Sequence, residues 1–158
     1  MAKLNDCRRC GRQLQDGPDQ VRSANSANFT VTIEGIPTRA CPAGCVGLYW
    51  YWADLGVEVI EMLHQREHFS RLKGVFRRSH ACRSCGGELR HAGAHRDFVF
   101  QTACRKGTTI RMIVGGPALL CTRCNLAYIP AAKNEADALQ RELVDLIAAA
   151  LTHELYHE

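Results

Sequence analysis

Nine cysteines in 158 residues constrain this chain more than any other feature. Eight of them form four short pairs, Cys7-x-x-Cys10, Cys41-x-x-x-Cys45, Cys82-x-x-Cys85 and Cys121-x-x-Cys124, and Cys104 is left over. The count is odd, and no apolar stretch of the kind a secretory signal carries precedes Cys7. Both features point to a reducing, cytoplasmic setting in which thiols bind metal rather than pair as disulfides. Two short thiolate pairs separated by a β-excursion supply the four ligands of tetrahedral zinc without strain. Two Zn2+ are therefore expected, one on Cys7, Cys10, Cys41 and Cys45 and one on Cys82, Cys85, Cys121 and Cys124. Iron takes the same ligand set, and spacing alone does not separate the two metals.

The pairs repeat along the chain. A shift of 75 positions carries Cys7 and Cys10 onto Cys82 and Cys85, and a shift of 80 carries Cys41 onto Cys121. Between the pairs, "TVTIEGIPTRAC" (30–41) and "IRMIVGGPALLC" (110–121) both read as an apolar strand followed by G-x-P-x-x-x-C. Gly11 and Gly86 follow the CxxC pair that opens each copy, where positive φ turns backbone N–H groups toward a thiolate. After its second pair each copy becomes helical. Leu48, Trp52, Leu55, Val59, Met62, Phe69 and Leu72 predict a helix over about 48–73, and Leu139, Leu143, Leu146, Ile147 and Ala150 predict a second one opened by Pro130 and Asn134. The expected fold class is α+β, two duplicated zinc-ribbon-like units each followed by a helix, over residues 1–79 and 80–158. The boundary falls in "GVFRRSHA" (74–81).

The order CxxCG, β-segment, G-x-P-x-x-x-C-x-x-C resembles the YgiT-type zinc finger, the N-terminal, toxin-binding module of MqsA-like antitoxins. The resemblance covers about 7–50 and 82–130 and implies that the eight cysteines are zinc ligands and that the partner is a protein. The first copy departs from it with "CPAGC" in place of C-x-x-C, and no helix-turn-helix pattern follows either copy.

Two strings raise a hydrolase reading. "HELYH" (153–157) matches H-E-x-x-H and "HQREH" (64–68) matches H-x-x-E-H. A working site needs a third protein ligand, usually downstream, and only Glu158 follows His157 here. His64 and His68 fall opposite the apolar stripe of the expected helix and read as solvent-facing. A non-enzymatic protein is expected, with a zinc hydrolase using His153, Glu154 and His157 as the alternative. Cys104 reads as a small buried apolar residue.

The formal charge of +4 becomes zero once eight thiolates (−8) and two Zn2+ (+4) are counted. It is unevenly spread: residues 1–130 hold 18 Lys/Arg against 10 Asp/Glu, and 131–158 hold 2 against 6. The longest stretch without a charged residue, Ala40 to Ala53, is fourteen residues and includes Pro42, so no membrane span is expected. Candidate partner-binding residues are Tyr49, Trp50 and Tyr51 in "LYWYW" and Arg77 and Arg78 in the basic linker. A macromolecular partner is expected, protein ahead of nucleic acid, because the holo-charge is neutral and exposed aromatics suit a desolvated protein contact.

Overall fold

The computed structural model describes residues 5–45, 48, 49, 52–103, 107, 109–134 and 137–152. Among them are ten strands, β1 (Gln15–Asp16), β2 (Gln20–Asn25), β3 (Thr30–Ile36), β4 (Arg39–Ala40), β5 (Leu48–Tyr49), β6 (Arg71–Lys73), β7 (Ser79–Ala81), β8 (Leu89–Ala103), β9 (Thr109–Cys121) and β10 (Ala127–Tyr128). Two α-helices, α1 (Trp52–Glu61) and α2 (Ala138–Thr152), complete a mixed α+β fold with antiparallel sheets. None of the described helices is long and apolar enough to cross a membrane.

The strands form three sheets: a small one ordered β1-β4-β5, the two-stranded β6-β7, and a five-stranded one in which β9 is central. β9 pairs with β8 along one edge and with β3 and then β10 along the other, and β2 closes the far side of β3. The apolar segments that match under the 80-residue shift are thus direct neighbours. Thr32 pairs with Ile113 and Ile33 with Met112, so β3 and β9 are related by a local two-fold axis between those pairs. Alternation along them buries Val31, Ile33, Ile110, Met112 and Val114 completely. Gly35 has φ 75°, and a Cβ there would run into the Thr109 carbonyl, so the chain can leave β3 along this path only with glycine.

The main core joins residues from both halves of the chain. α2 lies on β2 and β3 and against α1, and the 3-10 turn Met62–His64 that follows α1 contacts β8. Leu143, Leu146, Ile147, Ala150 and Leu151 form the buried stripe of α2, and Leu55, Val59, Met62 and Leu63 that of the α1 segment. Glu142 clamps α2 to the β2–β3 turn, its Oε1 accepting from Ser26 Oγ (2.6 Å) and the Asn28 N–H (2.9 Å) and its Oε2 from Asn28 Nδ2 (2.8 Å). These bonds hold the Glu142 carboxyl below its usual pKa.

The helices differ from the sequence-based expectation at their ends. The stripe over 48–73 predicts one helix, but α1 stops at Glu61 and gives way to two 3-10 turns and β6. Backbone pairing across the fold interrupts it. The Ile129 N–H donates to His68 O (2.7 Å) and the Ser70 N–H to Ile129 O (2.9 Å), using groups that a continuous helix would have satisfied internally. Phe69 and Leu72 belong to this extended segment. α2 begins at Ala138 rather than near Pro130 and Asn134, because Asp137 is the N-cap: its Oδ1 accepts from the N–H groups of Leu139 (3.1 Å) and Gln140 (3.4 Å). The stretch 74–81, read as a linker, contains β7 and the loop of a β6–β7 hairpin.

Candidate metal centres

The eight paired cysteines meet as two groups of four, Cys7, Cys10, Cys41 and Cys45, and Cys82, Cys85, Cys121 and Cys124. Within each group all four Sγ atoms lie within 4.8 Å of one another, and none of the eight is in a disulfide. Individual separations are 3.4 Å for Cys10–Cys41, 3.5 Å for Cys82–Cys124, 3.4 Å for Cys85–Cys121 and 3.9 Å for Cys85–Cys124. A tetrahedron with metal–sulfur bonds of about 2.3 Å has edges of about 3.8 Å, so each cluster can hold an ion such as zinc with little rearrangement. Disulfide sulfurs would be about 2.05 Å apart, far closer than these.

Local backbone geometry explains why such short stretches present paired thiols. The Cys7, Cys82 and Cys121 turns are built alike, with the Gly11, Gly86 and Asn125 N–H groups donating to the carbonyls of Cys7 (2.8 Å), Cys82 (3.0 Å) and Cys121 (3.2 Å). Each is closed by a bond from the cysteine N–H to a carbonyl five residues on, at Arg12 (2.7 Å), Gly87 (2.9 Å) and Leu126 (2.9 Å). Gly11, Gly86 and Asn125 have φ of 73°, 71° and 59°. In "CPAGC" the positive-φ residue is Gly44 (φ 76°), inside the pair, and its N–H reaches Cys41 O at 3.1 Å. The extra residue of that pair is accommodated by moving the left-handed position one place earlier.

The strands around the two clusters share one register. Asp6 bridges Gln13 as Ala81 bridges Glu88. Gln15 and Asp16 pair with Ala40 and Arg39 as Arg90 and His91 pair with Leu120 and Leu119. On the other edge, Leu48 and Tyr49 pair with Ala40 and Arg39 as Ala127 and Tyr128 pair with Leu120 and Leu119.

The turns also set the thiol acidities. Cys7 is lowered to about 6, first by the Cys10 N–H and then by the Arg9 N–H, the latter 3.4 Å from its sulfur. At Cys82 burial opposes ionisation, but the Tyr128 hydroxyl at 3.3 Å and the N–H groups of Cys85 and Ser84 outweigh it and bring the thiol to about 6. The later ionisations are disfavoured. Cys45 is pushed up to about 12 by the adjoining thiols of Cys10 and Cys41 and by burial. For Cys124 the Leu126 N–H favours the thiolate, yet burial and the Cys121, Cys82 and Cys85 sulfurs prevail and raise it to about 12. Four thiolates in one cluster therefore need a cation among them, which is the chemistry a bound divalent metal supplies.

Tyr128 is the site residue that sequence reading misses. Only 4% exposed, it has its own ionisation raised to about 12, by burial and then by Cys82, so at neutral pH its hydroxyl is a donor. Its position four residues after Cys124 was the only available signal.

The other expected site residues are scattered. Tyr49 lies in β5, but its side chain, with Trp50 and Tyr51, falls outside the described residues, as do Cys104 and "HELYH". Arg77 and Arg78 are exposed in the loop between β6 and β7. In "HQREH", His64 is exposed, whereas His68 is half-buried with its ring 4.7 Å from Phe100, contrary to the solvent-facing expectation. Gln65, at ψ 88°, separates the two histidines into different 3-10 turns, so they do not share a helical face. The two cysteine groups are the only clusters of metal-binding side chains among the described residues. Comparison with family models, curated proteins and solved structures finds no match.

Proposed function

We propose that this chain is a non-enzymatic binding module in which two zinc ions, each on four cysteines, hold a duplicated ribbon in shape. The observation that carries this reading is that, among the described residues, each cluster brings together four cysteine thiols and no His, Asp or Glu. A metal held by four protein ligands keeps no open position for water or substrate, which is the mark of a structural rather than a catalytic site. The duplication, with units at 1–79 and 80–158, is supported by the common strand register and by the antiparallel pairing of β3 with β9. On this reading the chain is a fused pseudo-dimer, with the helix of the second unit resting on strands of the first.

The proposed partner is a macromolecule met in the cytoplasm. A protein partner is supported by the YgiT-type resemblance and the "LYWYW" aromatics. A second reading, nucleic acid, is supported by the exposed basic hairpin that carries Arg77 and Arg78. The scaffold reading is tested by metal analysis of protein expressed without a histidine tag. Two zinc ions per chain, with cobalt substitution giving the spectrum of tetrahedral tetrathiolate sites, are expected. A third metal lost on His153→Ala, together with hydrolase activity, would replace it with the enzyme reading.

A further inference from the structure

The β6–β7 hairpin displays its most apolar residues to solvent. Lys73 pairs with Ser79, and the five residues between them form a loop in which Val75 is 85% and Phe76 99% exposed. Gly74 closes the turn at φ 99°, where a Cβ would strike the Arg77 carbonyl. A phenylalanine in this position contributes almost nothing to the core. It stands between Lys73 and Arg77 and Arg78, and none of these three forms an ion pair with an acidic side chain among the described residues.

The base of the hairpin, by contrast, is fixed. Ser70, 1% exposed, accepts from the Ala131 N–H (2.9 Å) and shares a hydrogen bond with His80 Nδ1 (2.7 Å) in β7. Lys73 Nζ donates to Gly86 O in the second cysteine turn (2.6 Å), and Arg83 Nε to Phe69 O (2.7 Å). The basic surface continues on both sides: Arg78 reaches the Lys133 carbonyl (3.3 Å), and Arg123 lies beside Gly87 of the second cysteine turn. Residues 66–90 and 121–134 together hold nine Lys/Arg against two Asp/Glu, 9 − 2 = +7. A divalent metal on four thiolates (−4 + 2 = −2) leaves +5.

From this juxtaposition we infer that the β6–β7 hairpin is a binding site for single-stranded nucleic acid, with Phe76 as a base-stacking platform and Lys73, Arg77, Arg78, Arg123 and Lys133 tracking the phosphates. An exposed aromatic set in a basic strip is what a single strand requires, because every base offers a stacking face and every phosphate a charge. A base-paired duplex keeps its faces stacked and gives Phe76 nothing to cover. The inference rests on the scaffold reading, since Lys73 is held against the second metal turn.

The test uses the metal-loaded full chain and a fluorescein-labelled oligothymidylate, followed by fluorescence anisotropy, with a duplex of equal length and phosphatidylserine-containing vesicles as competitors. Binding of the single strand in preference to both is expected. Phe76→Ala should weaken it about 5- to 150-fold, the range for loss of one base-stacking contact. Phe76→Trp should retain binding and show indole quenching. Arg77→Ala/Arg78→Ala should reduce the log–log salt slope by about 1.4, at about 0.7 per phosphate on single strands. Metal content and circular dichroism verify that the variants fold. Absence of strand binding by folded, two-metal protein overturns the inference and leaves the scaffold reading standing. Unchanged affinity in Phe76→Ala, preference for duplex, or capture by vesicles instead of the strand would each overturn it too. If strand binding persists after both metals are removed, the scaffold reading fails instead.

Discussion

Replacing Tyr128 with Phe removes one oxygen from the second metal centre and nothing else. The hydroxyl is 3.3 Å from the Cys82 sulfur, and both residues are essentially withdrawn from solvent, at 4% and 0% exposure. A hydrogen bond to a charged acceptor contributes about 1.5–3 kcal/mol, roughly 10- to 150-fold in affinity. The Cys85 and Ser84 N–H groups also serve the Cys82 sulfur and remain in the variant, so the low end applies, about tenfold weaker metal binding. Phenylalanine fills the same volume and leaves no orphaned donor, which separates this loss from a packing defect. Stepwise competition with a chromogenic chelator resolves the two metals. One step should move by about tenfold and the other stay in place. If neither step moves, the hydroxyl does not support the thiolate; if both move equally, the variant has damaged the fold rather than one site.

Four further expectations follow from the same geometry. Cys7→Ser/Cys10→Ser should leave one metal per chain and the β8–β9 hairpin protected in hydrogen exchange, because the first cluster sits on the separate β1-β4-β5 sheet; loss of both metals would contradict this. In metal-free protein, Cys7 and Cys82 have folded pKa values near 6 against an ordinary 9.0. Their stabilisation is thus complete above the unfolded value and lost as pH falls through about 6. A urea midpoint that does not decline between pH 9 and pH 6 would refute it. Ile147→Ala, at a fully buried position of α2, should cost about 2–5 kcal/mol in denaturant titration, and a loss below about 1 kcal/mol would mean that α2 does not cap the sheet. Glu142→Gln should lower the thermal midpoint at neutral pH but not at a pH below the depressed carboxyl range, where Glu142 is itself protonated; an equal effect at both would dismiss the charged clamp.

What the sequence determined by itself was the local chemistry. Cysteine spacing defines which thiols can share a turn, and Gly11 and Gly86 mark where the backbone must go left-handed; the meeting of those turns as two groups of four depends on the long-range β1–β4 and β8–β9 pairings. The apolar runs at 30–36 and 110–114 read correctly as strands, and the stripe of α2 as a buried face, because periodicity is imposed residue by residue. The tertiary structure decided the partners of each element. Nothing in the pattern of Phe69 and Leu72 distinguishes a continued helix from an extended segment, and the hydrogen bonds of His68 and Ser70 with Ile129, some sixty residues away, made the choice. Distance in sequence likewise hid the meeting of the Tyr128 hydroxyl with Cys82 and the pairing of β3 with β9. The segment 74–81 carried turn-forming and charged residues that suit a linker equally well. Only the anchoring of Ser70, His80 and Lys73 against the second half of the chain turned it into a hairpin with Phe76 at its exposed loop.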